Sequence, residues 1–417
     1  MKGAIRLILR ATLLLTLFSI GGGVYCIRPL PAPGKVALNL PAPEAILNSA
    51  EVVFQWDDVG ADRYLFQVGK DSKFKTVVVE DTLTTHSVSI KFKTDGTYFW
   101  RVKAQSAEGV WGDWSETGSF RIQRFTVVGA VKTTGYPHRI SIAGNRAYVA
   151  DGQAGLAVFD VSDPEAPRFV GGYMDSLNVA WGVTVQDSLV FLAYGYKELL
   201  ILNVRQPESI KVTGVLEYPQ PGYGYNLVLQ DTWVYIAAGA QFIAALVTDP
   251  RYPNLRFQYY YPRDCRDVAL VTQRAFVACE QLGIAVWRLD TFPFVQVGSF
   301  DTPGNARGVG VRGNHIFVAD GRNGLMVLDG TEPNNMRSLS TLSLDGYANS
   351  ILVDDSLVIV ACGSGGVAIV NCAQPESPEL ISQIKTPYAY AAGVTANRDY
   401  YLICDRDWGI VTVRKGQ

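Results

Sequence analysis

Residues 148–167 read YVADGQAGLAVFDVSDPEAP, and the reading of this stretch decides most of the chain. Two short apolar runs, YVA and LAVFDV, flank a glycine-led turn, and a Ser-Asp-Pro turn ends the second run. Runs of this length bounded by turn residues read as buried strands. With the alanine of YVAD as a mark, equivalents fall at Ala150, Ala193, Ala237, Ala278, Ala319, Ala361 and Ile403, at intervals of 43, 44, 41, 41, 42 and 42 residues. The following runs read LAVFDV, LLILNV, IAALVT, IAVWRL, LMVLDG, VAIVNC and IVTVRK. Seven copies of one unit therefore occupy the chain from Phe125 onward.

A period of 40 to 45 residues with four strands per unit is the signature of a β-propeller. First strands such as RISI, GVTV, NLVL and SILV join the second through Gly-Asn, Asp-Ser, Asp-Thr or Asp-Asp turns of hairpin type. Fourth strands such as FVGGYM, VTGVLEY and VQVGSF number six between successive marks. FTVVGAV, residues 125–131, precedes the first copy and supplies the seventh. Such closure removes the open edge at which chains aggregate. The expectation is an all-β chain ending in a seven-bladed propeller over residues 125–417.

Upstream, residues 26–40 are rich in Pro and read as a linker. Residues 41–124 carry short alternating segments, among them VVFQWDDV, RYLFQVGK and GTYFWRVKAQS, the pattern of a β-sandwich. At the N-terminus Lys2, Arg6 and Arg10 precede an apolar run from Ala11 to Ile20 and then three glycines. That order is a signal peptide over residues 1–25, and its apolar run is too short to span a bilayer unaided. Export is the expectation.

The sandwich segment resembles a fibronectin type III domain. Trp56 matches that family's core tryptophan, and Tyr98 in DGTYFWRVKAQ matches its tyrosine corner. WGDWS, residues 111–115, resembles the W-S-x-W-S signature of cytokine-receptor modules, which implies a cation–π ladder at Arg101. The repeats resemble the LVIVD-repeat family of exported bacterial and archaeal proteins, whose unit has the form Y-V-A-x-x-x-x-G-L-x-V-x-D-V-S-D-P-x-x-P. The first copy fits throughout and the fifth through IFVADGRNGLMVLD, while Glu198 and Phe242 replace the glycine in the second and third. The resemblance implies a periplasmic, cell-surface or secreted protein. Cys26 stands where a bacterial lipoprotein carries its lipidated cysteine, although Tyr25 departs from the small residue such a motif wants.

Acidic residues of the opening stretch divide by position. Asp160 has the equivalents Asn203, Asp329 and Asn371, and a catalytic carboxylate would not alternate with an amide that cannot ionise. Asp163 belongs to a turn. Asp151, Asp320 and Asp405 read as a secondary rim at one end of the propeller, with Glu280, Arg322, Asp407 and Trp408 beside them, where carboxylates on separate blades would suit calcium. No D-x-D-x-D-G loop accompanies them, so a metal is not expected.

The residues entering each first strand behave differently, changing type at constant phase. They are His138, Trp181, Tyr225, Arg266, Arg307, Asn349 and Ala392. Geometry places them around the mouth of the central channel, where two arginines beside aromatic rings suit an anionic or carbohydrate-like group.

With 37 Lys and Arg against 39 Asp and Glu, the chain has a net charge of -2 and no electrostatic footprint for nucleic acid. Cys279, Cys362 and Cys404 share one repeat phase, and no C-x-x-C pair or disulfide framework is apparent, so inert buried thiols are expected. No serine elbow, H-E-x-x-H pair or phosphate loop occurs, and the chain has three His. The reading is a monomeric binding or scaffold protein without a cofactor. Its partner is a protein or glycan at the cell surface, and its membrane contact is limited to an N-terminal lipid anchor. The alternative is a carbohydrate-active hydrolase or lyase with its site at the channel mouth.

Overall fold

A computed structural model describes residues 32–175, 178–196, 198–220, 222–385 and 390–416. The expected signal peptide over residues 1–25 and Cys26 lie outside the described residues.

The sequence alternation upstream of residue 124 builds a two-sheet sandwich. One sheet holds Leu38–Leu40, Glu51–Trp56 and Ser87–Lys91; the other runs in the order Ala45–Leu47, Gly118–Ile122, Gly96–Gln105, Arg63–Gly69 and Val77–Leu83. Along Glu51–Trp56 exposed and buried residues strictly alternate, as a half-buried strand requires. The buried faces meet in an aromatic cluster: Trp56 stacks on Phe66 at 5.7 Å, and Phe54 meets Phe66 and Trp100 edge-on at 4.8 and 5.1 Å. Each such pair adds about 0.5–1.5 kcal/mol beyond its area burial. The sandwich begins earlier than the sequence reading placed it, inside the supposed linker. Val36 is buried in the core and Leu38 pairs with Trp56, because an apolar side chain after the prolines gains more by burial than by solvation.

Tyr98 donates its hydroxyl to the Thr94 carbonyl at 2.7 Å. Outside, the Arg101 guanidinium lies 4.1 Å from the Trp114 ring and 4.0 Å from Phe74, and Lys103 lies 4.9 Å from both Trp111 and Trp114. The ladder read at Arg101 thus continues through Lys103 and Phe74. The sandwich touches the outer strand Glu379–Ile384 of the repeat region: Asp95 donates its N–H to the Ile381 carbonyl at 2.8 Å and holds Arg124 at 2.6 Å.

From residue 126 on, seven antiparallel sheets follow among the described residues. Their first strands are Arg139–Ala143, Ala180–Gln186, Gly224–Gln230, Asp267–Val271, Gly308–Arg312, Ser350–Asp354 and Ala391–Ala396. Each first strand packs on that of the next sheet, and the seventh packs on the first, so the strands form a closed ring. In the seventh sheet the outer strand is Thr126–Val131, paired antiparallel with Gly409–Arg414.

The YVA-type strands are buried on both faces. Their side chains fill apolar clusters that straddle neighbouring sheets, one of which joins Ile140 and Val149 to Leu402 and Ile410. Every four-stranded sheet carries a register shift between its third and fourth strands, as between Val158 and Phe159 or Val327 and Leu328, and the three-stranded third sheet carries its own between Ala244 and Ala245. An extra residue there raises the local twist that lets flat strands fan around an axis.

The third sheet departs from the expected four strands. Trp233–Leu246 runs without interruption, pairing first with Gly224–Gln230 and then with Asn254–Cys265. Here Phe242 replaces the glycine of the usual turn, and Gly239, at φ of 60°, pairs with Cys265 beside a register shift to Gln241, so the chain crosses the turn position as a bulge within the strand.

Candidate functional site at the channel mouth

The ring of first strands decides where the variable residues go. The N–H groups of His138, Arg266, Arg307 and Asn349 donate to the carbonyls of Ala150, Ala278, Ala319 and Ala361 at 2.9, 2.7, 2.9 and 2.8 Å. These are the repeat's mark alanines, and the bonds hold all four residues at one level. Trp181, Tyr225 and Ala392 reach the same level differently, each sitting in a register shift of its sheet. Bulges re-aim a side chain at such places. All seven positions line one small cavity of about 60 Å³, together with Arg139, Tyr390 and Arg406.

One side of this mouth is a clasp. Arg266 donates through Nε to Glu280 Oε1 at 2.7 Å, lies 3.3 Å from Asp264 and covers the Tyr225 ring at 3.8 Å. Arg307 reaches the same Glu280 oxygen at 3.4 Å. Glu280 occupies a backbone position with φ of 41°, where Gly152, Gly195, Gly239, Gly321 and Gly363 stand in other sheets at φ of 56 to 71°. A glutamate in that left-handed region carries strain that glycine would not. Its two arginine contacts supply the compensation.

A disulfide fixes the clasp. Cys265 and Cys279, 14 residues apart, are bonded, so Cys279 is not the inert thiol expected from its repeat phase. The Arg266-to-Ala278 bond continues the hairpin beyond Asp267 and brings the two cysteines side by side. The signal was present in the numbering: Cys265 precedes a mouth residue by one and Cys279 follows a mark alanine by one. Cys362, Cys372 and Cys404 are buried free thiols.

The other side is aromatic. His138 stacks on Trp181 at 4.0 Å, and Trp181 meets Tyr225 edge-on at 5.3 Å. Burial, with Arg406 and Arg139 nearby, holds the His138 imidazole down at about 3, so the ring is neutral at physiological pH. Burial pushes the Tyr225 phenol up to about 12. A second, wider cavity of about 380 Å³ opens above, lined by Tyr136, His138, Trp181, Tyr390, Arg406 and Asp407. The Arg406 guanidinium lies 4.4 Å from the Tyr390 ring.

Three buried nitrogens at this mouth have no hydrogen-bond partner among the described residues: Trp181 Nε1, Arg307 Nε and Arg406 Nε. All three are donors. Unpaired buried donors also include Trp56 Nε1 and Trp100 Nε1 in the sandwich core, so the three leave the mouth rich in donors without specifying a ligand.

The secondary-rim reading of Asp151, Asp320 and Asp405 is corrected. All three are fully buried, and none lines either cavity. Asp320 accepts from the Thr302 hydroxyl at 2.7 Å, the Gly304 N–H at 2.9 Å and Asn323 at 3.1 Å. Asp151 accepts from the Gly135 N–H at 2.9 Å, and Asp405 from the Asp407 and Trp408 N–H groups at 3.0 and 3.1 Å. They tie down the loops that enter the first strands or close the turns, because a buried carboxylate needs several donors to be tolerated. Among the described residues no group of three or more His, Cys, Asp or Glu is placed to hold a metal ion.

Sequence reading missed Arg139, Tyr390 and Arg406. Arg406 was legible only as the non-glycine that follows Asp405 where Gly152 and Gly321 follow Asp151 and Asp320.

A model of the LVIVD repeat matches residues 134–175 and 303–339, in the first and fifth copies. In structure the chain is similar to the WD40 beta propeller domain of Doa1, at 12% identity and TM-score 0.58, over 70% of this chain and 97% of that one. It is similar to U3-55K at 10% identity and TM-score 0.57, over 70% and 98%. The repeat region is a β-propeller. The chain is also similar to the computationally designed Ika8 protein, at 9% identity and TM-score 0.52, over 69% of this chain and 99% of that one. At these identities the likeness carries the fold of the propeller alone. No curated protein matches the chain.

Proposed function

We propose that this is an exported, monomeric binding or scaffold protein: a fibronectin type III-like domain followed by a seven-bladed propeller whose channel mouth recognises a protein or glycan. One observation carries the reading. Seven repeat-equivalent positions, filled by six residue types, converge on one cavity lined by four arginines. Repeats fix the frame, and the departures from repetition supply the chemistry.

Supporting the domain assignment are the buried Trp56 and the Tyr98 corner. Supporting seven blades is the ring of seven first strands closed by Thr126–Val131. Supporting export are the basic and apolar N-terminal segment and the Cys265–Cys279 bond, since disulfides persist in oxidising compartments.

The test is a glycan and protein array probed with the mature chain and with Arg266→Ala and Arg307→Ala variants. Signals lost in both variants support the mouth as the binding face. Signals unchanged in folded variants move recognition elsewhere, and turnover of an arrayed glycan replaces the binding reading with the hydrolase or lyase.

A further inference from the structure

Resting on that reading, we propose that the mouth binds the carboxylate of an acidic sugar, a uronic acid residue of a glycan, with the sugar ring held in the wider aromatic cavity above.

The argument begins with shape. The lower well, of about 60 Å³, accommodates a head group of a few atoms, and the upper cavity of about 380 Å³ shares His138, Trp181, Tyr390 and Arg406 with it. A ligand filling both has a small polar head joined to a ring-sized body. The lining of the lower well sets the head's charge. Arg139, Arg266, Arg307 and Arg406 surround it, while Glu280 and Asp264 neutralise part of that charge, chiefly on Arg266, and the buried Asp267 interacts with Arg139.

An excess of guanidinium favours an anion. Partial neutralisation favours one negative charge over the two of a phosphate, whose recognition rests on uncompensated arginines. The three unpaired donors sit on the second, fifth and seventh sheets. A carboxylate offers about four lone-pair directions on two oxygens, enough for a bidentate pair with one guanidinium and a further bond from a second.

The upper cavity sets the body. Tyr136, which is 57% exposed, and the Trp181 and Tyr390 rings present flat apolar surface. The neutral His138 imidazole and the Asp407 carboxylate add both a donor and acceptors for hydroxyl groups. A pyranose has that combination of an apolar face and a hydroxyl rim. An acidic peptide chain has neither, and Asp407 repels its further carboxylates.

The experiment is isothermal calorimetry of the mature chain with trigalacturonate, its fully methyl-esterified form, inorganic phosphate, a sulfated neutral trisaccharide and a hexaglutamate peptide. Variants are Arg406→Met, Arg307→Met and Trp181→Phe, with Arg168→Met at the opposite end as control. The expected result is saturable binding of trigalacturonate and at least tenfold weaker binding of the ester. Arg406→Met and Arg307→Met should each weaken the acid by on the order of ten- to a hundredfold. Trp181→Phe should weaken it less, and Arg168→Met should leave it unchanged.

Equal binding of acid and ester overturns the proposal, as does phosphate or the sulfated sugar binding as tightly as the uronate. Binding of hexaglutamate alone, lost in Arg406→Met, rejects the sugar and keeps the mouth as a binding face. Failure of every probe to bind a chain of unchanged thermal unfolding overturns the uronate proposal and leaves the binding face to the array.

Discussion

The two ends of the propeller are made by the same repeat and use it in opposite ways. At the far end the residue type recurs: Asp160, Asn203, Asp329 and Asn371 each accept the N–H two residues on, from Ser162, Arg205, Thr331 and Ala373, at 2.9 to 3.1 Å. Carboxylate and amide oxygens serve equally, so either suffices for the turn. Asp160 and Asp329 additionally pair with Arg168 and Arg337 at 2.7 and 2.8 Å. At the mouth the frame recurs and the residue does not. There the side chains engage one another across sheets, and donors are left over. Recurrence of type marks a role in the turn, and variation in a fixed frame marks a role in recognition.

The widest separation between the ends should come from the disulfide. Changing Cys265 and Cys279 to Ser should lower unfolding free energy by about 3 kcal/mol in chemical denaturation, the value for a closed loop of about 15 residues, with the same loss after reduction of the unmodified chain. Unchanged stability would mean that the bond constrains neither state. Next is Asp320→Ala, which strands the buried Gly304 N–H and Thr302 hydroxyl and should cost about 2–3 kcal/mol by the same measurement. A loss no larger than that of an exposed far-end substitution would return Asp320 to the category of replaceable turn residues.

Glu280→Gly tests whether the mouth trades backbone strain for chemistry. Relief of its positive φ offsets the lost ion pairs, so stability should stay within about 1 kcal/mol of the parent, while uronate affinity falls because Arg266 and Arg307 lose their common partner. Affinity retained in this variant would show that the clasp does not position the arginines.

The smallest effect at neutral pH belongs to Asp329→Asn, which preserves the turn acceptor. Its signature is in acid. Thr331 and Arg337 hold the Asp329 carboxyl down at about 2. A depressed carboxyl contributes stability above its ordinary value near 4, and that contribution is lost as pH falls through about 2. The Asn variant should therefore lack this part of the acid-induced fall in melting temperature.

Asp151 has the opposite sign, since burial raises its carboxyl. Its contribution is present below the ordinary value and lost as pH rises through the folded one, so Asp151→Asn should flatten the curve on the less acid side. Equal pH responses at the two ends would break the distinction drawn between them.

Much of the fold was legible because it is written in local spacing. The mark alanines set the period, and the same arithmetic named His138, Trp181, Tyr225, Arg266, Arg307 and Asn349, which do meet at one cavity. Their ligand role is a proposal. The residues that escaped reading depend on contacts between sheets. Arg406 and Tyr390 reach the cavity from the seventh sheet and its approach; Glu280 was placed near the rim by its phase, and its role emerges only where two arginines from different sheets share its oxygen. Asp151, Asp320 and Asp405 looked like a rim because phase specifies level along the axis, whereas distance below the surface depends on the loops folded over them.

The sequence by itself determined the all-β class, the repeat, the closing strand and the identity of the variable ring, since a strand's period and a turn's chemistry act over a few residues and recur visibly. Only the tertiary structure decided which charges neutralise one another, which cysteines meet and which donors remain unpaired. Those are properties of side chains brought together from separate sheets, and their energies depend on distance and burial that no spacing along the chain encodes.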